Sequence, residues 1–202
     1  MKNVLLGVTG SVAATLTPKL THELFSALGP VQVCATQWGR YFFKEHEVFE
    51  LYRDVKFWRD EDEWYERCGL DSPILLSESN QPKKWKKKGD PVVHIDLRDW
   101  ADVLVLAPLT ANTMAKIVCG LCDNLLTSVV RAWDESKPVV FAPAMNTHMW
   151  KKSLTFNQVV ELKQWGWHLV PPIAKELACG DEGEGAMARI EDIVAKTMEV
   201  LK

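Results

Sequence analysis

Val4-Leu5-Leu6-Gly7-Val8-Thr9-Gly10-Ser11 is the stretch on which the fold class turns. Val4 to Val8 is short and apolar, and the Thr-Gly-Ser that closes it reads as the end of a buried strand. Ala13 to Leu28 then carries apolar residues at helical spacing until Gly29-Pro30 stops it, and Val31 to Ala35 forms the next apolar run. Pro18 falls early in this helix, where a first turn tolerates it; a kink or a later helix start are the alternatives. Strand, helix and strand joined this closely imply parallel pairing through a right-handed crossover, hence an α/β chain. Gly10-Ser11-Val12 leads into a helix N-terminus, where free backbone amides favour a phosphate. A tight connection would explain the same residues, and the multiple-glycine pattern of a dinucleotide site is missing.

Outward from this unit the alternation continues. Val103 to Ala107 reads as a core strand bounded by Pro108, with His94-Ile95-Asp96-Leu97 and Trp100-Ala101-Asp102 just upstream. Pro108-Leu109-Thr110-Ala111-Asn112-Thr113 follows, with a helix expected from about Met114. Helix capping needs one of those three polar groups, not all of them, so the rest can serve a heterocycle or a phosphate. Asp123 and Asn124 can cap a helix through Leu125, Leu126, Val129 and Val130. Val139 to Phe141 is a further strand, and Ala142-Pro143-Ala144-Met145-Asn146-Thr147-His148-Met149-Trp150 sets a polar amide where a sheet edge meets a helix. A helix around Gln158 to Trp165, a short strand at His168 to Val170 and a terminal helix from about Ile190 complete the chain. The terminal helix is expected to bury Ile193, Val194, Met198 and Leu201.

Composition narrows the function classes. The 202 residues are 47% hydrophobic, enough for a substantial core and most simply a single domain. Lysines and arginines number 24 against 27 acids, so no global basic field draws the chain to nucleic acid or membrane. No run is long enough to span a bilayer. Five cysteines are an odd count without a small secreted framework, which points to reduced thiols in the cytoplasm. Cys119 and Cys122 have the spacing of a metal or redox pair but no second pair, and are expected to be buried structural thiols. Between about residues 68 and 90 the chain turns polar and includes the Lys83 to Lys88 run, a solvated insertion rather than a nucleic-acid patch. Trp38, beside Thr36 at the end of the second strand, could wall a ring-shaped cofactor. Ala178-Cys179-Gly180-Asp181-Glu182-Gly183-Glu184-Gly185 is too rich in glycine for a helix or strand interior and reads as a mobile functional loop. Its acids disfavour a thiolate, so Cys179 suits proton donation better than nucleophilic attack.

These segments occur in an order that resembles the homo-oligomeric flavin-containing cysteine decarboxylases, from residue 3 to about 200. The short, monofunctional form of the enzyme is the nearer likeness. The resemblance implies a flavodoxin-like, Rossmann-type three-layer fold, a homotrimer, and FMN held near the subunit interface. Gly10, Ser11, Val12, Thr36 and Trp38, with Thr110, Ala111, Asn112, Thr113 and Ala144, would line the FMN site. His94 would be a catalytic residue and Cys179 the flap proton donor; Asn146 would hold the substrate carboxylate beside Met149 and Ala178. The family's chemistry on phosphopantothenoylcysteine oxidises the thiol to a thioaldehyde, an electron sink. Loss of carbon dioxide leaves an enethiolate, and a hydride with a proton from Cys179 gives 4'-phosphopantetheine, a coenzyme A precursor. Two departures stand out: the insertion near residues 68 to 90, and Asp99 where relatives often carry a basic residue. A phosphatase-inhibitory subunit of the same fold or a peptidyl-cysteine decarboxylase are the alternatives. The first typically loses the histidine or flap cysteine, both kept here.

Overall fold

The computed structural model describes residues 1–46, 55–66, 83–84, 88–89, 92–176 and 182–202. Its centre is a six-stranded parallel sheet. The strands are Val4–Val8 (β1), Val31–Ala35 (β2), Lys56–Trp58 (β3), Val103–Leu109 (β6), Val139–Pro143 (β7) and His168–Leu169 (β8), in the order β3-β2-β1-β6-β7-β8. Tyr65–Glu66 (β4) and Lys83–Lys84 (β5) pair as a separate antiparallel ribbon flanking most of the expected insertion, whose interior lies outside the described residues. The chain starts in the middle of the sheet, winds to one edge, then returns past β1 to build the other half. This doubly wound order opens a crevice where neighbouring crossovers diverge, between the carboxyl ends of β1 and β6.

Every residue of β1, β2, β6 and β7 is buried, as expected of strands covered on both faces. Alternate residues feed two cores. Val4, Leu6 and Val8 pack with Val103 and Val105 beneath Leu20 and Leu24 of Thr17–Leu28 (α1) and Ile193 of Ile190–Val200 (α7). Leu5, Leu104, Leu106 and Phe141 face the opposite helices: Val93–Trp100 (α2), Ala111–Val118 (α3), Leu125–Arg131 (α4) and, beyond the short Thr147–Trp150 (α5), Ser153–Gln164 (α6). Gly7 lies on this second face, where a Cβ would sit 2.7 Å from Leu106 and 2.8 Å from Leu126.

Several sequence expectations shift. The first helix is divided: Val12–Leu16 is a 3-10 turn, and α1 begins at Thr17 with Pro18 in its first turn, where a missing N–H costs nothing. Strand β6 runs through Pro108 to Leu109, and α3 begins at Ala111 rather than near Met114 because Thr110 caps it. Helix α6 starts at Ser153, and α2 was not anticipated around His94, although Val93, Leu97 and Trp100 have helical spacing. In α7 Ile193 is buried as expected and Val194 and the capping Leu201 are half-buried, but Met198 is 42% exposed and Thr197 is buried instead, its hydroxyl donating to the Ile193 carbonyl at 2.8 Å. Cys119 and Cys122 are exposed, not buried: α3 ends at Val118, and Gly120, with φ 72°, turns the chain away from the core. The glycine-rich segment also differs, since Gly183 and Gly185 sit in a strand. Ile173–Glu176 (β9) and Glu182–Ala186 (β10) form an antiparallel hairpin with an irregularity between Glu184 and Ala186.

Candidate functional site

Thr9 joins the two strands at the crevice. Its hydroxyl donates to the Pro108 carbonyl at 2.7 Å and accepts the Thr110 N–H at 2.9 Å, while its own N–H donates to the same carbonyl at 3.2 Å. Wholly buried, it locks the end of β1 to the start of α3. Around this clasp the flanking turns are held by their own polar side chains. Ser11 accepts the Ala13 N–H at 3.2 Å, Thr36 accepts the Gly39 N–H at 3.2 Å, and Thr110 caps α3 through the Thr113 N–H at 3.4 Å. Thr110 and Thr113 also bond hydroxyl to hydroxyl at 3.3 Å, so capping accounts for two of the three polar groups there and leaves Asn112 exposed at the rim.

A cavity of about 540 Å³ opens over this clasp, within the size range of small-molecule and cofactor sites. Gly10, Ser11, Thr36 and Trp38 line one side; Thr110, Ala111, Asn112 and Thr113 line another, with Ala144 and Met149 closing it. Trp38 is 68% exposed and forms an open aromatic wall. Gly10 allows that wall to approach, since a Cβ there would lie 2.6 Å from the Trp38 Cβ. Sequence reasoning missed Gln37, Asp60, Lys116, Asp123, Asn124 and Met145, which line the same space. Asp60 comes from the acidic 3-10 segment Asp60–Trp64 and accepts the Leu125 N–H at 3.1 Å, adding its charge to the N-terminus of α4. Burial holds its carboxyl above the usual range, opposed by the backbone N–H bonds it accepts. Asn124 caps α4 through the Thr127 N–H at 2.9 Å, whereas Asp123 pairs with Lys116 instead of capping.

A second cavity, about 610 Å³, abuts the first and shares Ser11, Ala144 and Met145 with it. Val12 and Asn146 lie here. Asn146 caps α5, its carbonyl oxygen accepting the His148 N–H at 2.8 Å. The hairpin is seated directly on this turn: the Met145 N–H donates to the Gly185 carbonyl at 2.9 Å. Both glycines of β10 are required by that approach. A Cβ on Gly185 would fall 2.3 Å from the Met145 carbonyl, at φ 144°, and one on Gly183 would fall 2.5 Å from the Thr147 hydroxyl. Glycine weakens a strand interior in general, but here the Met145 carbonyl and the Thr147 side chain occupy the side-chain space. The expected site residues Ala178 and Cys179 fall between β9 and β10, outside the described residues.

His94, in the first turn of α2, lines neither cavity. Its Nδ1 pairs with Oε1 of Glu63, a buried residue of the Asp60–Trp64 segment. Burial raises the Glu63 carboxyl, and the bond to His94 opposes that rise. Cys34, in β2 behind the same segment, is 1% exposed. Burial first, then Asp60, Asp62 and Glu63, push its thiol well above the ordinary value and keep it inert. A larger cavity of about 690 Å³, between Trp133, Lys137, Trp165 and Trp167, borders the amino end of β7, the end of the sheet away from the motifs. No cluster of metal-ligating side chains occurs among the described residues, and none of the described helices is long and apolar enough to cross a membrane.

A doubly wound parallel sheet with two abutting cavities at its switch point defines a cofactor-binding α/β protein of flavodoxin-like, Rossmann-type build. More specifically, the chain belongs to the Flavoprotein family, which it matches over residues 1–202. It is 46% identical over 199 residues to a mouse phosphopantothenoylcysteine decarboxylase, covering 98% of this chain and 86% of that protein. An Arabidopsis thaliana phosphopantothenoylcysteine decarboxylase is 46% identical over 185 residues, covering 92% and 78% of the two chains. Among solved structures, a cysteine-to-serine mutant of PPC decarboxylase complexed with pantothenoylaminoethenethiol superposes with a TM-score of 0.84 at 43% identity, covering 98% of this chain and 97% of that one. The FMN-binding protein AtHal3 superposes with a TM-score of 0.81 at 43% identity, covering 98% and 95%.

Proposed function

We propose that this chain is an FMN-dependent decarboxylase that converts phosphopantothenoylcysteine to 4'-phosphopantetheine on the route to coenzyme A. One observation carries the reading. In a chain 46% identical to a phosphopantothenoylcysteine decarboxylase, the motif residues after β1, β6 and β7, from Gly10 and Ser11 through Thr110 to Thr113 and on to Asn146 and Met149, line two abutting cavities. The residues present suit FMN. Trp38 and Met149 give flat and pliable apolar walls, Ser11 and Asn112 give polar groups at the rim, and the N-terminus of α3 offers a place for a phosphate. FMN bound there would supply reversible two-electron chemistry, which keeps the overall reaction redox-neutral.

The protein's own work is positioning and proton management. Asn146 lies at the junction of hairpin and cavity, where its amide can donate to a substrate carboxylate; its carbonyl is engaged in capping α5. Met149 and Ala178 belong to the same substrate contact. Cys179 sits on the connection of the β9–β10 hairpin and gives the final proton to carbon. His94 completes the reacting site as a catalytic residue. It lines neither cavity of its own chain, which supports a homotrimer in which each site is finished by a neighbouring copy. Trp38 and Tyr41, 68% and 76% exposed and stacked edge to face, supply apolar surface for that contact. A cytoplasmic location belongs to the same proposal, supported by the odd cysteine count and the lack of a small disulfide framework.

Asn146→Asp tests the substrate assignment. Aspartate caps a helix as well as asparagine does, so thermal melting should stay near the wild-type value. A second carboxylate beside the substrate's own should nevertheless weaken kcat/KM by about 100-fold or more, since like charges brought together cost several kcal/mol. Unchanged carbon dioxide release would remove Asn146 from that role.

A further inference from the structure

The acidic run Asp60-Glu61-Asp62-Glu63 divides its carboxylates among four jobs. Asp60 accepts the Leu125 N–H at 3.1 Å, Asp62 accepts the Arg59 N–H at 2.8 Å, and Glu61 faces solvent near Arg40 at 3.5 Å. The first two bonds pin the 3-10 segment to α4 and to the end of β3. Glu63 is thereby turned inward, where it is 7% exposed and meets the Nδ1 of His94, 31 residues along the chain. Its other oxygen, Oε2, is buried with no hydrogen-bond partner among the described residues. A buried carboxylate with one oxygen unsatisfied is costly, and a glutamine or an apolar residue would fill the space at lower cost. Tying α2 to the core does not require it either, because Val93 and Leu97 already bury at 2% and 0% exposure. Besides meeting the His94 backbone N–H, the carboxylate provides a strong acceptor for one chosen ring nitrogen of His94.

We propose that Glu63 is a positioning residue for His94. Its carboxylate accepts the Nδ1 proton, fixes the imidazole in that tautomer and leaves Nε2 as the nitrogen that meets the reacting groups. The same logic governs carboxylates that orient catalytic or metal-bound histidines. What Nε2 then does rests on the decarboxylase reading; the pairing does not.

The test uses the FMN-loaded protein with 15N-labelled histidine, and compares wild type with Glu63→Gln and Glu63→Asp. The ring nitrogens of His94 are assigned by their loss in His94→Asn. In the wild type the neutral ring should be protonated at Nδ1. Glutamine can offer its NH2 to that nitrogen, so Glu63→Gln should gain the Nε2-protonated form. It should also lose about 10- to 100-fold in kcat, the range seen when such outer partners are removed, with KM within about twofold and the FMN spectrum retained. Glu63→Asp, which keeps the charge on a shorter arm, should recover part of both the tautomer and the rate. An unchanged tautomer in Glu63→Gln, or a changed tautomer with wild-type kcat, overturns the assignment. Loss of FMN or of folded structure in both variants would also overturn it, by making Glu63 part of the scaffold. A wild-type protein that releases no carbon dioxide would sink the decarboxylase reading, while the ring nitrogens would still decide the pairing.

Discussion

The turn after β1 and the strand β10 both carry glycine against the site, but the missing Cβ does a different job in each. At Gly10 the obstacle is the Cβ of Trp38, 2.6 Å away, on a residue whose ring is largely exposed. At Gly185 it is a backbone carbonyl at 2.3 Å, and φ is 144°, a conformation L residues rarely adopt. The Trp38 Cβ belongs to a turn closed by the Gly39 N–H on the Thr36 hydroxyl, and Gly10 carries no positive φ; the Gly185 contact cannot relax without unseating the hairpin from the Asn146 turn. The β1 turn is therefore a rigid floor whose glycine carries no strained φ. The hairpin is seated through a close backbone contact at Gly185.

Substitutions can break this contrast, and the largest effect is expected at the hairpin. Gly185→Ala forces both the clash and the strained φ, a cost of about 1–3 kcal/mol for the backbone alone. By displacing the flap it should lower carbon dioxide release by about 100-fold, since ångström-scale misplacement carries losses of that size. Steady-state assays beside thermal melts would check it, and wild-type turnover would mean that the seating is incidental. Cys179→Ser should leave FMN bound while an oxidised, decarboxylated intermediate accumulates, visible by mass spectrometry. Normal turnover in that variant would take the cysteine out of the mechanism. Gly183→Ala meets only the Thr147 side chain and should cost less than Gly185→Ala. Gly10→Ala, which adds a clash but no strained φ, should also cost less than Gly185→Ala, with its effect falling on FMN retention measured by absorbance after gel filtration. A smaller melting loss for Gly185→Ala than for Gly183→Ala or Gly10→Ala would dissolve the contrast.

The smallest effect concerns Cys34, away from both glycine segments. Its folded-state thiol is raised by burial and by Asp60, Asp62 and Glu63. As pH climbs past about 8.5 the unfolded chain loses this proton first, so stability present at neutral pH declines with rising pH. Cys34→Ala should flatten that alkaline decline in urea titrations. Thiol reagents should label Cys119 and Cys122 in the native protein and spare Cys34.

The strands were legible because each is buried on both faces and reads as a continuous apolar run between turn signals. Gly10, Ser11, Thr36 and the Thr110 to Thr113 cluster were legible because strand ends in this architecture are where ligands gather. The rest depended on contacts between distant segments. No local pattern announces that Glu63 meets His94, or that Thr9 bridges to Pro108 and Thr110. Gly183 and Gly185 suggested a loop because local propensity counts only the strand's loss, not the Met145 carbonyl that fills the vacant position. The exposure of Cys119 and Cys122 is hidden for a related reason: their spacing carries no information about the turn at Gly120 that exposes them. Helix α2 was missed because charged residues interrupt its short apolar stripe of Val93, Leu97 and Trp100.

The most direct test of the account is the visible absorption spectrum of the purified protein, reconstituted with FMN and followed as phosphopantothenoylcysteine is added while carbon dioxide is collected. The account predicts a yellow protein that retains FMN through gel filtration, a spectral change on mixing, return to the starting spectrum when substrate is exhausted, and one carbon dioxide released per substrate consumed. A colourless protein that cannot be reconstituted, or a yellow one that leaves the substrate intact, would contradict it.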